Sequence, residues 1–241
     1  GHVAFIGGSI TEMDGYRPMV MDILRQRFPR AEFTFTDAGV ASTCSTTGAF
    51  RLHDDVLSKG PVDLLFVEFA VNDDQDAHHD RRDCIRGMEG IIRHTRLHNP
   101  CSDIVISYFV NPGMLASWQS GKVPLAVGVH EEVAEYYRIS AINLAREVAD
   151  RISAGTLTWE QYGGTHPKPQ GNRICASMID RLMSQVWTGP LAADAQRVAH
   201  TLPQKPLDEK SYWRGCLISP DRAEVICGMT VEVPDWANIN G

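Results

Sequence analysis

The feature that most restricts the possible folds of this chain is the segment 62–71, in which all but two of the side chains are apolar. A strand that is apolar on both faces is typical of a parallel sheet covered by helices on both sides. The segment ends at Asn72, Asp73 and Asp74, where polar residues indicate a turn out of the core. We therefore expect a parallel sheet with this segment as a central strand.

The rest of the first 187 residues alternates between strand and helix patterns. Apolar residues predict further strands at 3–6, 32–37 and 104–110, and helical spacing predicts helices at 16–28, 48–58, 85–95, 133–152 and 174–186. Two stretches without clear periodicity, 114–128 and 158–172, are predicted to be loops. This order predicts the α/β class, with a three-layer α/β/α sandwich around a parallel sheet.

The pattern changes at about Thr188. Residues 1–187 form the predicted α/β domain, and residues 188–241 form a linker and a β-rich C-terminal segment. Two strands are predicted in this segment, at 214–219 and 223–233, on either side of Pro220. The segment is either an appendage packed on the main domain or the start of a truncated domain.

Composition excludes several classes of protein. The net charge of −7 provides no basic surface for nucleic acid. No apolar run approaches the roughly 18 residues that a membrane span requires. The sequence leaves the localisation open and is compatible with a soluble, secreted or periplasmic protein whose signal segment is absent from this chain. Oligomeric state is not indicated.

The six cysteines are scattered, with neither a CxxC motif nor the spacing of a zinc site. They are interpreted as buried thiols rather than a disulfide framework, although Cys216 and Cys227 lie where they could face each other across a hairpin. No metal is predicted. The first turn also lacks the GxGxxG and Walker patterns, so no nucleotide cofactor is predicted.

The first predicted strand ends in Gly7, Gly8 and Ser9. Paired glycines permit a tight bend, and a serine after that bend would stand at the carboxyl end of a strand, where open α/β sheets bind their ligands. A serine in this position is also a common N-cap of the following helix. The short motif alone does not decide between a nucleophile and a cap.

Three other positions in the sequence favour the interpretation of Ser9 as a nucleophile. Gly39 follows the second strand, Asn72 follows the third, and His166 lies in a Gly-Gly-Thr-His-Pro segment before the last helix. A hydroxyl, an imidazole base, a backbone N–H and a side-chain amide are the groups that acyl transfer requires.

In this order the motifs resemble the SGNH (GDSL-type) esterase and acylhydrolase family over roughly residues 3–187. The resemblance implies a flavodoxin-like serine esterase with Ser9 as nucleophile, His166 as general base, and Gly39 and Asn72 as oxyanion donors. It also implies a small-molecule or carbohydrate ester as substrate, with acetyl as the favoured acyl group, and no cofactor.

One departure from the family pattern affects catalysis. The aspartate expected three residues before His166 is replaced by Gly163. A carboxylate there orients the imidazole, and its loss from a Ser-His-Asp triad can cost on the order of 10⁴-fold in turnover. Glu160, a backbone carbonyl or a Ser-His dyad are the alternatives, and two rival functions stay open: an impaired carbohydrate-binding module and an acyltransferase.

Some nearby residues are assigned lesser roles. The acidic and histidine-rich stretch 73–80 fits neither an EF-hand nor a zinc spacing and is predicted to be a solvated loop at the mouth of the cleft. Arg17 is interpreted as a solvated helix charge. Trp118 and Trp159 fall in predicted loops that could reach the mouth, where aromatic rings suit sugars.

Overall fold

The computed structural model describes residues 1–189, 194–219, 222 and 228. Its strands are β1 (His2–Gly7), β2 (Thr34–Gly39), β3 (Leu64–Glu68), β4 (Asp103–Ser107) and β5 (Ser140–Ile142). Its α-helices are α1 (Ser9–Glu12), α2 (Tyr16–Arg27), α3 (Ser45–Asp55), α4 (Ala70–Gln75), α5 (Arg81–His98), α6 (Pro112–Gln119), α7 (Leu125–Tyr137), α8 (Leu144–Ser153), α9 (Trp159–Tyr162) and α10 (Pro169–Val186). None of the helices in these residues is long and apolar enough to cross a membrane.

The five strands form one sheet in the order β2-β1-β3-β4-β5, and every neighbouring pair is parallel. This confirms the predicted α/β class and the central position of the apolar strand β3, all of whose residues are buried. Strand order reverses between β1 and β3, and ligands of open α/β sheets bind outside the carboxyl ends of the strands at such a point. Gly7, the last residue of β1, is in register with Gly39 on one side and Glu68 on the other.

Helices cover both faces of the sheet. On one side α3 packs against α5, and α5 against α7; on the other α2 packs against α10. The stacked rings of Phe5 and Phe66, with centroids 4.8 Å apart, lie on neighbouring strands at the centre of the core. Burial of such aromatic and aliphatic side chains supplies most of the driving force for folding.

The helix predicted over 133–152 is wrong, because the chain breaks into α7, β5 and α8 there. Arg138 ends α7 in the left-handed conformation, with φ of 52°. The three residues of β5 then pair with β4 and extend the sheet by one strand. A strand of three residues is too short to show its own periodicity. The apolar pattern of the two flanking helices therefore resembles that of one continuous helix.

The boundaries near the site also differ from the predictions. Residues 114–128 are not a loop, since α6 and the start of α7 occupy most of them, and β3 ends earlier than predicted because α4 begins at Ala70. Trp118 and Trp159 therefore lie in helices. Arg146 covers the ring of Trp118 with its guanidinium 5.2 Å from the ring centroid, and Trp159 stacks on Tyr162.

Residues 194–219 of the C-terminal segment contain neither helix nor strand, and residues 203–212 lie against α5. Buried Glu89 of α5 accepts hydrogen bonds from the backbone N–H groups of Leu207 and Asp208, which anchors the segment. Residues 214–219 form no strand, so that prediction is wrong. The second predicted strand, 223–233, and Cys227 lie outside the described residues. The five cysteines that the structure describes are free thiols.

Candidate active site

Ser9 lies at the carboxyl end of β1, as the first residue of α1. The turn before it leaves no room for side chains: a Cβ on Gly7 would lie 2.2 Å from Thr11 Oγ1 and 2.7 Å from the carbonyl oxygen of Glu68. Real Cβ atoms do not approach other atoms this closely, so the glycine is required by packing. The N-cap of α1 is Gly8, so Ser9 is not the cap of this helix.

His166 is brought to Ser9 from the other end of the domain. Ser9 Oγ and His166 Nε2 are 2.8 Å apart and form a hydrogen bond between residues 157 positions apart in the sequence. His166 is exposed and Ser9 is partly exposed, so both side chains are accessible from solvent. A hydroxyl in contact with an imidazole base is the arrangement of an activated serine.

Asn172 holds the loop that carries His166. Its Nδ2 donates a hydrogen bond of 2.6 Å to the carbonyl oxygen of Pro167. On its other side it packs against the turn after α1, where a Cβ on Gly15 would lie 2.5 Å from Asn172 Oδ1. Asn172 is buried. Sequence reasoning did not single it out, and its only local signal is its place one turn into the last helix.

Asn72 lies in the first turn of α4, next to residues 7–9, which we call the serine turn. One of its Nδ2 hydrogens is donated to Asp76 Oδ2 at 2.8 Å, and a second remains on the same nitrogen. A Cβ on Gly8 would lie 2.1 Å from Asn72 Oδ1, which shows how closely the amide approaches the residue before Ser9. Asn72 Oδ1 itself is buried without a partner among the described residues.

Gly39 lies at the end of β2, directly against α1. A Cβ there would lie 2.2 Å from the backbone nitrogen of Glu12, so only glycine allows α1 to pack this closely. The Gly39 N–H donates to Asp37 Oδ1 at 3.0 Å. Arg17 binds the same carboxylate through Asp37 Oδ2 at 2.7 Å and is largely buried, which corrects its assignment as a solvated charge.

Among the described residues, no carboxylate contacts His166. Glu160, in the first turn of α9, is exposed and forms no hydrogen bond with the imidazole. Gly163 ends α9 with φ of 115°, and a Cβ there would lie 2.1 Å from the backbone nitrogen of Lys168. The loop therefore excludes an aspartate at this position both by conformation and by space.

A buried network beneath the serine turn was missed by sequence reasoning. Thr11 Oγ1 donates to Glu68 Oε2 at 3.3 Å and lies 3.0 Å from the Tyr16 hydroxyl. Burial raises the pKa of Glu68 to about 7, because the charged carboxylate is removed from water. A single acidic residue at the end of an apolar strand gives no sequence signal that distinguishes it from a turn residue.

The stretch 73–80 is only partly the solvated loop that was predicted. Its residues 75, 76, 78 and 80 are exposed, but residues 73–75 belong to α4 and Asp73 is fully buried. Its oxygens accept hydrogen bonds from the Ser45 backbone N–H and hydroxyl, each at 2.7 Å, and from His130 Nε2 at 2.9 Å. Burial alone would raise the pKa of Asp73, but the hydrogen bond from His130 and the nearby imidazole of His79 hold it well below its usual range. The partners come from α3 and α7, far away in the sequence.

Residues 5–174 match the GDSL-like Lipase/Acylhydrolase family, and the chain belongs to this family. The match confirms the family resemblance that the sequence motifs indicate. At the level of the family, it also confirms the expected enzyme class, which is that of the carboxylic ester hydrolases. No curated protein sequence matches the chain.

Solved structures of esterases share the fold. Two structures of a two-domain esterase active on acetylated mannans, one co-crystallised with mannopentaose, are 24% and 25% identical, with TM-scores of 0.70 and 0.69 over 87% and 85% of this chain. Both matches cover 53% of the esterase, so the aligned part spans about half of its length. Axe2, an acetylxylan esterase from Geobacillus stearothermophilus, is 17% identical with a TM-score of 0.55, over 75% of this chain and 92% of that one.

Proposed function

We propose that this chain is a serine esterase that removes small acyl groups, acetyl above all, from carbohydrate. The observation that carries the proposal is the 2.8 Å hydrogen bond between Ser9 Oγ and His166 Nε2 at the carboxyl edge of the sheet. Family membership supports the same chemistry.

In the first half-reaction, Ser9 Oγ attacks the ester carbonyl carbon while His166 Nε2 takes the hydroxyl proton. The carbonyl oxygen becomes an oxyanion, which the N–H groups of Ser9 and Gly39 and the amide of Asn72 stabilise. The tetrahedral intermediate collapses, the bond to the alcohol oxygen breaks, and His166 returns the proton to that oxygen. The sugar hydroxyl leaves and the acyl group remains on Ser9.

In the second half-reaction, water attacks the acyl-enzyme carbonyl and gives a proton to His166. The second tetrahedral intermediate releases the carboxylic acid, and Ser9 Oγ recovers its proton. A sugar hydroxyl in place of this water would make the same residues an acyltransferase.

The base works as a Ser-His dyad in this proposal, because Gly163 leaves no space for an aspartate. A dyad lacks the carboxylate that orients the imidazole and stabilises the imidazolium formed during the reaction. Turnover is therefore expected to be lower than in a full triad. The hydrogen bond from the Gly39 N–H to Asp37 also lowers the expected turnover, because this donor must give up the carboxylate before it can bind the oxyanion. Arg17 neutralises Asp37, which reduces repulsion of the developing charge.

The carbohydrate part of the proposal is supported by the neighbours' activities on acetylated mannans and xylan. It is also supported by the exposure of His166 and the partial exposure of Ser9, because a polymer reaches such a site without entering a narrow tunnel.

The test is acetate release from acetylated mannan and acetylated xylan, together with hydrolysis of p-nitrophenyl acetate. Ser9→Ala and His166→Ala should each reduce the rate to background, whereas Ser153→Ala, an exposed helix serine, should not change it. Activity that is the same in wild type and Ser9→Ala would overturn the proposal.

A fluorophosphonate probe separates the esterase from an impaired binding module, for which Gly163 is the observation in favour. Labelling that is abolished by Ser9→Ala supports the enzyme. Sugar binding without labelling supports the module. Transfer of acetyl to added sugar, with no free acetate, supports the acyltransferase.

A further inference from the structure

Five side chains with metal-binding chemistry meet behind Asn72. We call Cys44, Asp73, His79, Cys84 and His130 the Asp73 cluster. Cys44 Sγ, a carboxylate oxygen of Asp73 and a ring nitrogen of His79 all lie within 4.8 Å of one another, and so do the donor atoms of Asp73, Cys84 and His130. Thiolate and imidazole are the ligands that Zn²⁺ prefers.

Separate elements deliver these side chains, which is why their spacing resembles no zinc motif. Cys44 is the N-cap of α3, Asp73 lies in α4, Cys84 in α5 and His130 in α7. His79 follows His78, which adopts a left-handed conformation with φ of 48° and turns the chain back toward the cluster. Cys44 and His79 are half-buried, so an ion reaches the cluster from the surface.

The contact between His79 and Asp73 resembles two ligands of one metal more than a hydrogen bond. His79 Nδ1 lies 3.3 Å from Asp73 Oδ1, yet this buried nitrogen has no hydrogen-bond partner in the part of the chain that the structure describes. Two N or O ligands on a tetrahedral zinc, with bonds of about 2.0–2.1 Å, are themselves about 3.3 Å apart.

Asp73 is held by the kind of outer shell that orients a metal ligand. Its Oδ2 accepts from the Ser45 hydroxyl and from His130 Nε2, while its Oδ1 accepts from the Ser45 N–H and lies 3.3 Å from His79 Nδ1. Hydrogen bonds of this type fix the direction of a ligating carboxylate.

We propose that Cys44, Asp73 and His79 bind a Zn²⁺ ion, with a water as the fourth ligand and His130 as the outer-shell partner of Asp73. The Cys44 thiolate and the Asp73 carboxylate together balance the charge of the ion. Because Asp73 follows Asn72, the ion stabilises the helix turn that presents the oxyanion donor. The site takes no part in the acyl-transfer steps.

The test measures metal, not ester hydrolysis. The reduced full chain is saturated with Zn²⁺, dialysed against metal-free buffer and analysed by elemental analysis, with about one ion per chain expected. Replacement by Co²⁺ should give the near-ultraviolet charge-transfer absorption of a thiolate ligand, and Zn²⁺ should raise the melting temperature.

Cys44→Ser and His79→Gln should abolish retention of the ion, and Cys44→Ser should remove or weaken the thiolate–cobalt absorption. His130→Gln should weaken affinity by roughly 10- to 100-fold, as expected for an outer-shell residue. Cys101→Ser, a half-buried thiol outside the cluster, is the matched control and should bind like wild type. Circular dichroism checks that each variant is folded.

Two results would overturn the proposal. One is a wild-type chain that retains no metal after dialysis. The other is a folded Cys44→Ser or His79→Gln variant that retains as much metal as wild type, which would mean that the Asp73 cluster is only a hydrogen-bonded network.

Discussion

The amide of Asn72 fills the space beside Gly8, so that a Cβ added to Gly8 would lie 2.1 Å from Asn72 Oδ1 and 2.8 Å from Nδ2. The backbone of Gly8, with φ of −84° and ψ of −151°, is extended and accessible to any residue. Glycine is therefore required here by the neighbouring amide and not by the backbone. The residue before the proposed nucleophile and the proposed oxyanion donor are positioned by direct contact.

We predict that Gly8→Ala displaces the Asn72 amide and lowers kcat about as much as Asn72→Ala, by about 10²–10³-fold, the usual effect of losing one oxyanion donor. KM should change less, because the donor acts on the transition state. Steady-state kinetics on p-nitrophenyl acetate measure both parameters.

The double variant tests the cause. If the Gly8→Ala defect is a clash with Asn72, combining it with Asn72→Ala relieves the clash and the two losses do not add. Losses that multiply in full would mean that Gly8→Ala acts elsewhere.

Restoring the family's aspartate should not restore a triad. Gly163→Asp places a Cβ 2.1 Å from the Lys168 nitrogen at a φ of 115°, so we expect lower activity and a loss of more than about 1 kcal/mol in stability. Gly163→Ala should show a similar loss of stability. Thermal unfolding and kcat measure the two effects.

Gly164→Ala is the matched comparison, since Gly164 has a φ of 88° but no atom within 4 Å of the added Cβ. It carries the conformational cost without the clash and should be the milder variant. A Gly163→Asp enzyme that is faster than wild type would show that the loop can accommodate the carboxylate.

Glu68 makes stability depend on pH. Its pKa in the folded protein is raised from the usual 4.5 to about 7, so the folded state holds a proton that the unfolded state releases between these values. The contribution of this bound proton to the free energy of unfolding is fully present below the unfolded pKa of 4.5, and it is lost as the pH rises through the folded pKa of about 7. A shift of this size corresponds to about 3 kcal/mol.

Glu68→Gln removes this titration. The free energy of unfolding of the variant relative to wild type should rise by about 3 kcal/mol between about pH 4 and about pH 8. Urea unfolding at the two pH values measures it. Glu209→Gln, an exposed acid, should show no such change relative to wild type. A constant difference between Glu68→Gln and wild type would contradict the raised pKa.

Asn172 is expected to position His166 through Pro167. Asn172→Ala leaves the Pro167 carbonyl oxygen without its donor, at a cost of about 1–3 kcal/mol in stability. The loop should then hold His166 less firmly, and kcat should fall while the pH profile keeps its shape. Asn99→Ala, which removes a comparable side-chain hydrogen bond to a backbone carbonyl far from His166, should destabilise without a matching fall in kcat.

The sequence by itself determined the alternating α/β order, the central strand β3 and the four proposed site residues. Each depends on a local pattern: apolar runs report burial on both faces, and Ser9, Gly39 and Asn72 each lie at or just after the end of a strand. The carboxyl ends of parallel strands share one edge, so strand ends predict proximity. His166 follows no strand and was found only through its motif.

Only the tertiary structure decided the rest. β5 exists because β4 offers it an edge, not because three residues favour a strand. The burial of Asp73 depends on Ser45 and His130, and that of Glu68 on the turn above it. A carboxylate has the same sequence signature in water and in a core. Its environment is set by partners distant in the chain. A buried carboxyl group is stable either as a carboxylate that accepts hydrogen bonds from the surrounding fold or as a protonated, neutral group.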